Sequence, residues 1–158
     1  MLKHIVALAT LTLMFFVAGC GRSGDTPTVP QAQPAAASDI DIGDHVVHYN
    51  AQTTDLLSPQ VARAIDVVRS KNRAMVTVSV LDKSTGASVP AEFTVRTVNL
   101  AGQLKNVTMK RVPEQEAIYY IGTTGIANRE TLTFNISITP EGAMKASDVS
   151  FTREFFSN

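Results

Sequence analysis

From Thr131 to Thr139 apolar and polar residues alternate without a break. Leu132, Phe134, Ile136 and Ile138 fall on one side, and Thr133, Asn135, Ser137 and Thr139 on the other. A helix cannot bury such a pattern, but a strand with one face in a core must have it, because successive side chains point to opposite faces. The period recurs along the chain. Val76, Val78 and Val80 alternate with Thr77 and Ser79, Phe93 and Val95 with Thr94 and Arg96, and Val107 and Met109 with Thr108 and Lys110. Ala117 to Thr123 and Val149 to Phe155 continue it, and His45 to Asn50 reads as a first strand. Turn-forming residues separate the runs, as in Asp82 to Gly86, Leu100 to Gln103, Pro113 to Gln115, Asn128 to Glu130 and Pro140 to Gly142. About seven short strands at this spacing predict an all-β fold, an immunoglobulin-like antiparallel β-sandwich. An up-and-down barrel is the alternative closure.

One segment departs from the period. Ser58-Pro59 has the form of an N-cap followed by proline at the first helical position. Val61, Ile65 and Val68 then recur at helical spacing. A short helix from Pro59 to about Val67 is predicted between the first two strands, covering an open end or edge of the sandwich.

The first residues have a different logic. Lys3 and His4 precede an apolar run from Ile5 to Val17, broken only by Thr10 and Thr12. That run has signal-peptide length and is short of the roughly 20 residues that span a bilayer. Val17-Ala18-Gly19-Cys20 resembles the lipobox of bacterial lipoproteins. The resemblance implies cleavage before Cys20 and acylation of its sulfur and new amino group, with several acyl chains giving stable membrane attachment. Gly21, rather than aspartate, follows the cysteine, which by the sorting rule of that family implies the periplasmic face of the outer membrane. The expected organisation is a signal peptide over 1–19, a lipidated cysteine with a Pro- and Ala-rich tether over 20–42, and the β-sandwich over 43–158. Pro27, Pro30, Pro34 and Ala35-Ala36-Ala37-Ser38 make the tether too poor in large apolar residues to offset the entropy of ordering it.

Lys and Arg number 14 and so do Asp and Glu, so composition points to neither nucleic acid nor anionic lipid as a partner. Cys20 is the single cysteine, so no disulfide or zinc–thiolate site is expected inside the domain. Asp41, Asp44, His45 and His48 have metal-ligand chemistry, but on an extended strand His45 and His48 face opposite ways. No metal or cofactor is expected. Nucleophilic catalysis needs a hydroxyl or thiol beside an oriented base, and neither G-x-S-x-G nor S-x-x-K occurs. Glu92, Glu114, Glu116, Glu130 and Glu154 supply carboxylates without pointing to a pair. Arg69, Lys71 and Arg73, if extended, line one face that could hold an anion or else be a solvated basic edge. Tyr119-Tyr120 puts one ring inside and leaves the other for a contact surface.

Across His48 to Phe156 the chain resembles a family of gammaproteobacterial envelope proteins, domain of unknown function 4426. The stretches that carry the resemblance are His48-Tyr49-Asn50, Leu57 to Ala62, Arg69-Ser70-Lys71, Asn99 to Gln103, Ala117 to Tyr120 and Glu130 to Phe134. It implies a small exported β domain and no activity. The expected function is a lipid-anchored, non-catalytic binding or accessory module with an envelope protein as partner. The alternative is a small-ligand carrier with a pocket at one end of the sandwich near the helix, and a third is an enzyme of unrecognised type. The candidate binding residues are His48, Tyr49, Asn50, Arg69, Lys71, Arg73 and Tyr119.

Overall fold

The computed structural model describes residues 38–157, so Cys20, the expected signal peptide and most of the expected tether lie outside the described residues. Among the described residues nine strands form two antiparallel sheets. The five-stranded sheet runs, edge to edge, β1 (Ser38–Ile42), β2 (His45–Thr53), β3 (Arg73–Asp82), β7 (Ala117–Gly125) and β6 (Lys110–Glu114). The four-stranded sheet runs β5 (Leu104–Lys105), β4 (Ala91–Asn99), β8 (Glu130–Pro140) and β9 (Ser147–Phe155). The strands thus form a sandwich, with two more of them than the alternation predicts.

The alternation that defines β8 also builds the core. Leu132, Phe134, Ile136 and Ile138 are all buried, while Asn135 is exposed and bonds across to Ser150 on the solvent side. Val76, Val78 and Val80 of β3 face them from the other sheet, with Val47 and Ala51 of β2. Two aromatic contacts tie the sheets together. Tyr49 stacks on Phe151 at 4.4 Å between ring centroids, and Phe93 meets Tyr120 at 4.3 Å.

Three boundaries differ from expectation. The tether ends earlier than residue 42, because Ser38–Ile42 pairs with β2 from Ser38 opposite Tyr49 to Ile42 opposite His45. Ile42 packs on the core, and Lys83 bridges Asp41 at 3.1 Å. The run through Val107 and Met109 is not a strand. Residues 106–109 cross between the sheets, and both side chains pack over Gly122, where a Cβ would lie 2.4 Å from Val107 Cγ1 and 2.8 Å from Met109 Sδ. The helix, α1, covers only Pro59–Ala64. Ser58 Oγ caps it by accepting from Val61 N at 3.2 Å. Asp66 takes a positive φ and ends it, Asp66 N donating to Arg63 O and Val67 N to Ala62 O at 2.8 Å.

The helix does not cover an open end. It lies on the outer face of the five-stranded sheet, where Leu57, Ala62, Met75 and Ile121 form a second, smaller core with Ile65, Val67, Val112 and Tyr119. Strand polarity sorts the connections to two ends. Residues 54–72, 100–103, 126–129 and 156–157 lie at one, hereafter the helix end. Residues 43–44, 83–90, 115–116 and 141–146 lie at the other, the turn end.

Candidate functional site

His48 and Asn50 lie on the outer face of β2, opposite Ser79 and Thr77 of β3 in the antiparallel register. Tyr119 of β7 shares that face. These five side chains, with Tyr49, line a shallow depression of about 160 Å³. Four of the expected binding residues, His48, Tyr49, Asn50 and Tyr119, are therefore brought together, although the Tyr49 ring turns inward onto Phe151. His48 Nδ1 donates to Asp39 Oδ1 across the β1–β2 pair. Sequence reasoning missed Asp39, Thr77 and Ser79. Their signal was the strand register, which one run of alternating residues does not contain.

The basic stripe does not form. Arg73 starts β3, whereas Lys71 sits in a turn and Arg69 in irregular backbone. The Thr54 hydroxyl is the cause: it donates to Val68 O at 2.8 Å and accepts from Ser70 N at 2.9 Å. Backbone groups satisfied by a side chain leave no ladder to keep the segment extended. Arg69 donates instead to Asp55 O at 2.7 Å, and Arg73 reaches Thr123 Oγ1 at 3.4 Å.

Larger concavities occur at the turn end, opposite to the end expected. One, of about 450 Å³, opens beside Pro90, Ala91, Arg111, Tyr120, Pro140 and Ala143. Its floor is the buried Tyr120, whose hydroxyl accepts from Ala91 N at 2.9 Å. Glu92 and Glu141 also line it, and both are exposed. A second, of about 560 Å³, shares the wall Pro140 to Ala143 and reaches Asp44, His45 and Asp82. Asp82 is the hub of its turn. The Ser84 hydroxyl, the Thr85 amide and the Thr85 hydroxyl all donate to Oδ1, which pulls the carboxyl down to about 2. Asp44 and His45 thus line this cleft while His48 lies on the outer face, and among the described residues no three His, Cys, Asp or Glu side chains group as metal ligands.

Glu130 holds the helix end together. Its carboxylate accepts from Lys105 at 2.7 Å, Asn99 at 3.0 Å and the Ala127 amide at 2.8 Å. Burial pushes its proton affinity up, but these donors together outweigh burial and hold the carboxyl below its ordinary value.

Residues 39–158 match the family model described as Domain of unknown function (DUF4426). The chain belongs to that family. A DUF4426 family protein from Pseudomonas aeruginosa PAO1 is 34% identical and superposes with a TM-score of 0.68, over 77% of this chain and 95% of that one. A copper-bound variant of FetP from uropathogenic Escherichia coli superposes with a TM-score of 0.56 at 11% identity, over 78% of this chain and 97% of that one. FetP as isolated from the same source gives 0.55 at 10%, over 78% and 95%. At such identity the likeness to FetP concerns the fold alone. No curated protein matches the sequence.

Proposed function

We propose that this DUF4426 protein is a non-catalytic binding module of the cell envelope, held at the periplasmic face of the outer membrane by lipid on Cys20. It meets an envelope protein along the free edge of β9. The edge itself is the observation that carries this reading. Three of the four sheet edges are blunted: β5 has two residues, β6 contains Pro113, and β1 is short and carries Asp39 and Asp41. β9 also carries charges, Asp148, Arg153 and Glu154, but it runs nine residues without proline, with β8 as its ladder partner among the described residues. Such an edge can accept an added strand from a partner, with main-chain hydrogen bonds supplying affinity. Absence of catalysis is supported by the turn-end cleft, where Glu92 and Glu141 are both exposed, whereas acid–base chemistry wants one of a carboxylate pair desolvated.

A photo-crosslinking residue at Ser150 or Thr152 in living cells tests the reading, with Thr94 as control on the same sheet face two strands away. One discrete adduct from β9 and none from Thr94 is the expected result. Equal adducts from both, or none, contradicts it. A second reading, the small-ligand carrier, is favoured by the clefts of about 450 and 560 Å³, which fall in the range of ligand sites. The copper of the FetP variant is not carried over, because the donors described here form no ligand group.

A further inference from the structure

The helix end of the sandwich is apolar and basic, and the turn end is acidic. Leu56, Val68, Leu100 and Phe156 all lie in connections at the helix end, and all are exposed, Val68 at 71% and Leu100 at 82%. Val61 on α1 and Leu104 on the adjoining short strand are exposed as well. Away from these, the large apolar side chains left in solvent among the described residues are Ile40 and Met144. Single exposed apolar residues are ordinary, but several gathered on one end mark a contact surface. Arg63, Arg69 and Arg129 stand on the same connections. Of the acidic groups there, Glu130 is held by Lys105, Asp66 lies 3.8 Å from Lys110, and Asp55 turns one carboxylate oxygen inward. At the turn end Asp44, Glu114, Glu116 and Glu141 are all exposed, against two exposed lysines, Lys83 and Lys145. The equal totals of acid and base in the sequence hide this separation.

The path of β1 supplies the occupant. Ser38 lies opposite Tyr49 and Ile42 opposite His45, so the chain joins the sheet travelling from the helix end toward the turn end. In the chain cleaved before Cys20, 18 residues, Cys20 to Ala37, precede it. Even fully extended, 18 residues reach at most roughly 60 Å, which keeps the domain near the membrane. We propose that the helix end docks on the anionic headgroup surface of the membrane that carries the anchor, with Val68, Leu100 and Phe156 in the interfacial layer and the arginines against phosphates. Apolar burial and electrostatic attraction are the two contributions that hold amphipathic surfaces on bilayers. The turn-end clefts then face the periplasm, and β9 runs up the side of the domain from the membrane-proximal Phe155 to Ser147. This docking rests on the anchored reading of Cys20.

The test uses the mature, membrane-extracted protein in vesicles of phosphatidylethanolamine and phosphatidylglycerol. Val68→Cys, Leu100→Cys and Met144→Cys, each at an exposed position, carry an environment-sensitive fluorophore. Flotation with the vesicles reads the anchor, and the fluorophore reads the docking. Blue-shifted emission at positions 68 and 100, quenched by headgroup-proximal doxyl lipid, with a water-like signal at 144, is the expected result. Arg63→Glu with Arg129→Glu should abolish the shift while the protein still floats. Flotation with water-like signals at all three positions overturns the docking alone. Failure to float overturns the anchored reading and the docking with it.

Discussion

Phe134 stacks on Phe151 at 5.0 Å and meets Phe155 edge-on at 6.4 Å, so its ring joins two strands inside one face. Phe134→Ala should destabilise the domain by about 3–5 kcal/mol in denaturant unfolding. Its neighbour Thr133 faces solvent and shares only a hydroxyl contact with Thr152 at 3.0 Å, so Thr133→Ala should cost about 0.5 kcal/mol. Equal costs would contradict the assignment of faces. Gly122 is sensitive for the opposite reason, too little room. Gly122→Ala puts a methyl against Val107 and Met109 and should cost about 1–3 kcal/mol through overpacking. A neutral Gly122→Ala would mean that the 106–109 crossing is looser than described. Asp82 offers a proton-linked check. Its carboxyl is depressed, so the turn's contribution is present above the unfolded value near 3.8 and is lost as pH falls toward about 2. A carbon-detected titration should place the Asp82 midpoint near 2, with the Ser84 and Thr85 amides moving alongside. A midpoint at the ordinary aspartate value would show that those donors do not hold the carboxylate.

β8 was legible from sequence because one face is buried along its length and period two survives intact, whereas β3 keeps the period only from Val76 to Val80 and buries Met75 on its outer face under the helix. β1 was not. Its residues Ser38 to Ile42 alternate, but Asp39 and Asp41 beside a proline-rich stretch resemble a linker, and only pairing with β2 makes them a strand. Arg69 to Arg73 failed for a different reason, a single hydroxyl at Thr54 that captures the backbone from 14 and 16 residues away. The helix stop was readable in principle, since aspartate tolerates the left-handed conformation that Asp66 adopts, but the apolar period through Val68 masked it. These differences make the domain boundary measurable. A chain beginning at Ser38 should melt like the mature protein, whereas one beginning at Asp44 loses β1, Ile42 and the Asp41–Lys83 bridge and should melt at least about 5 °C lower. Equal melting temperatures would return the boundary to residue 43.

Of the candidate site, the sequence showed residue types and not their meeting places. His48, Asn50 and Tyr119 come from strands separated by β3, and the turn-end cleft gathers residues near 90, 111, 120 and 140. Such convergence is a property of register and sheet order, which no local pattern encodes. The proposed lipobox at Val17 to Cys20, by contrast, is a local motif, and everything proposed for function hangs from it: where the domain sits, which end meets the membrane, and which edge is left for a partner. Metabolic labelling with radioactive palmitate, followed by membrane fractionation of the wild type and Cys20→Ser, examines that point directly. The expected result is labelled wild-type protein in the outer-membrane fraction and no label on Cys20→Ser. Unlabelled wild-type protein released with the soluble periplasmic contents, or label that survives Cys20→Ser, would contradict it.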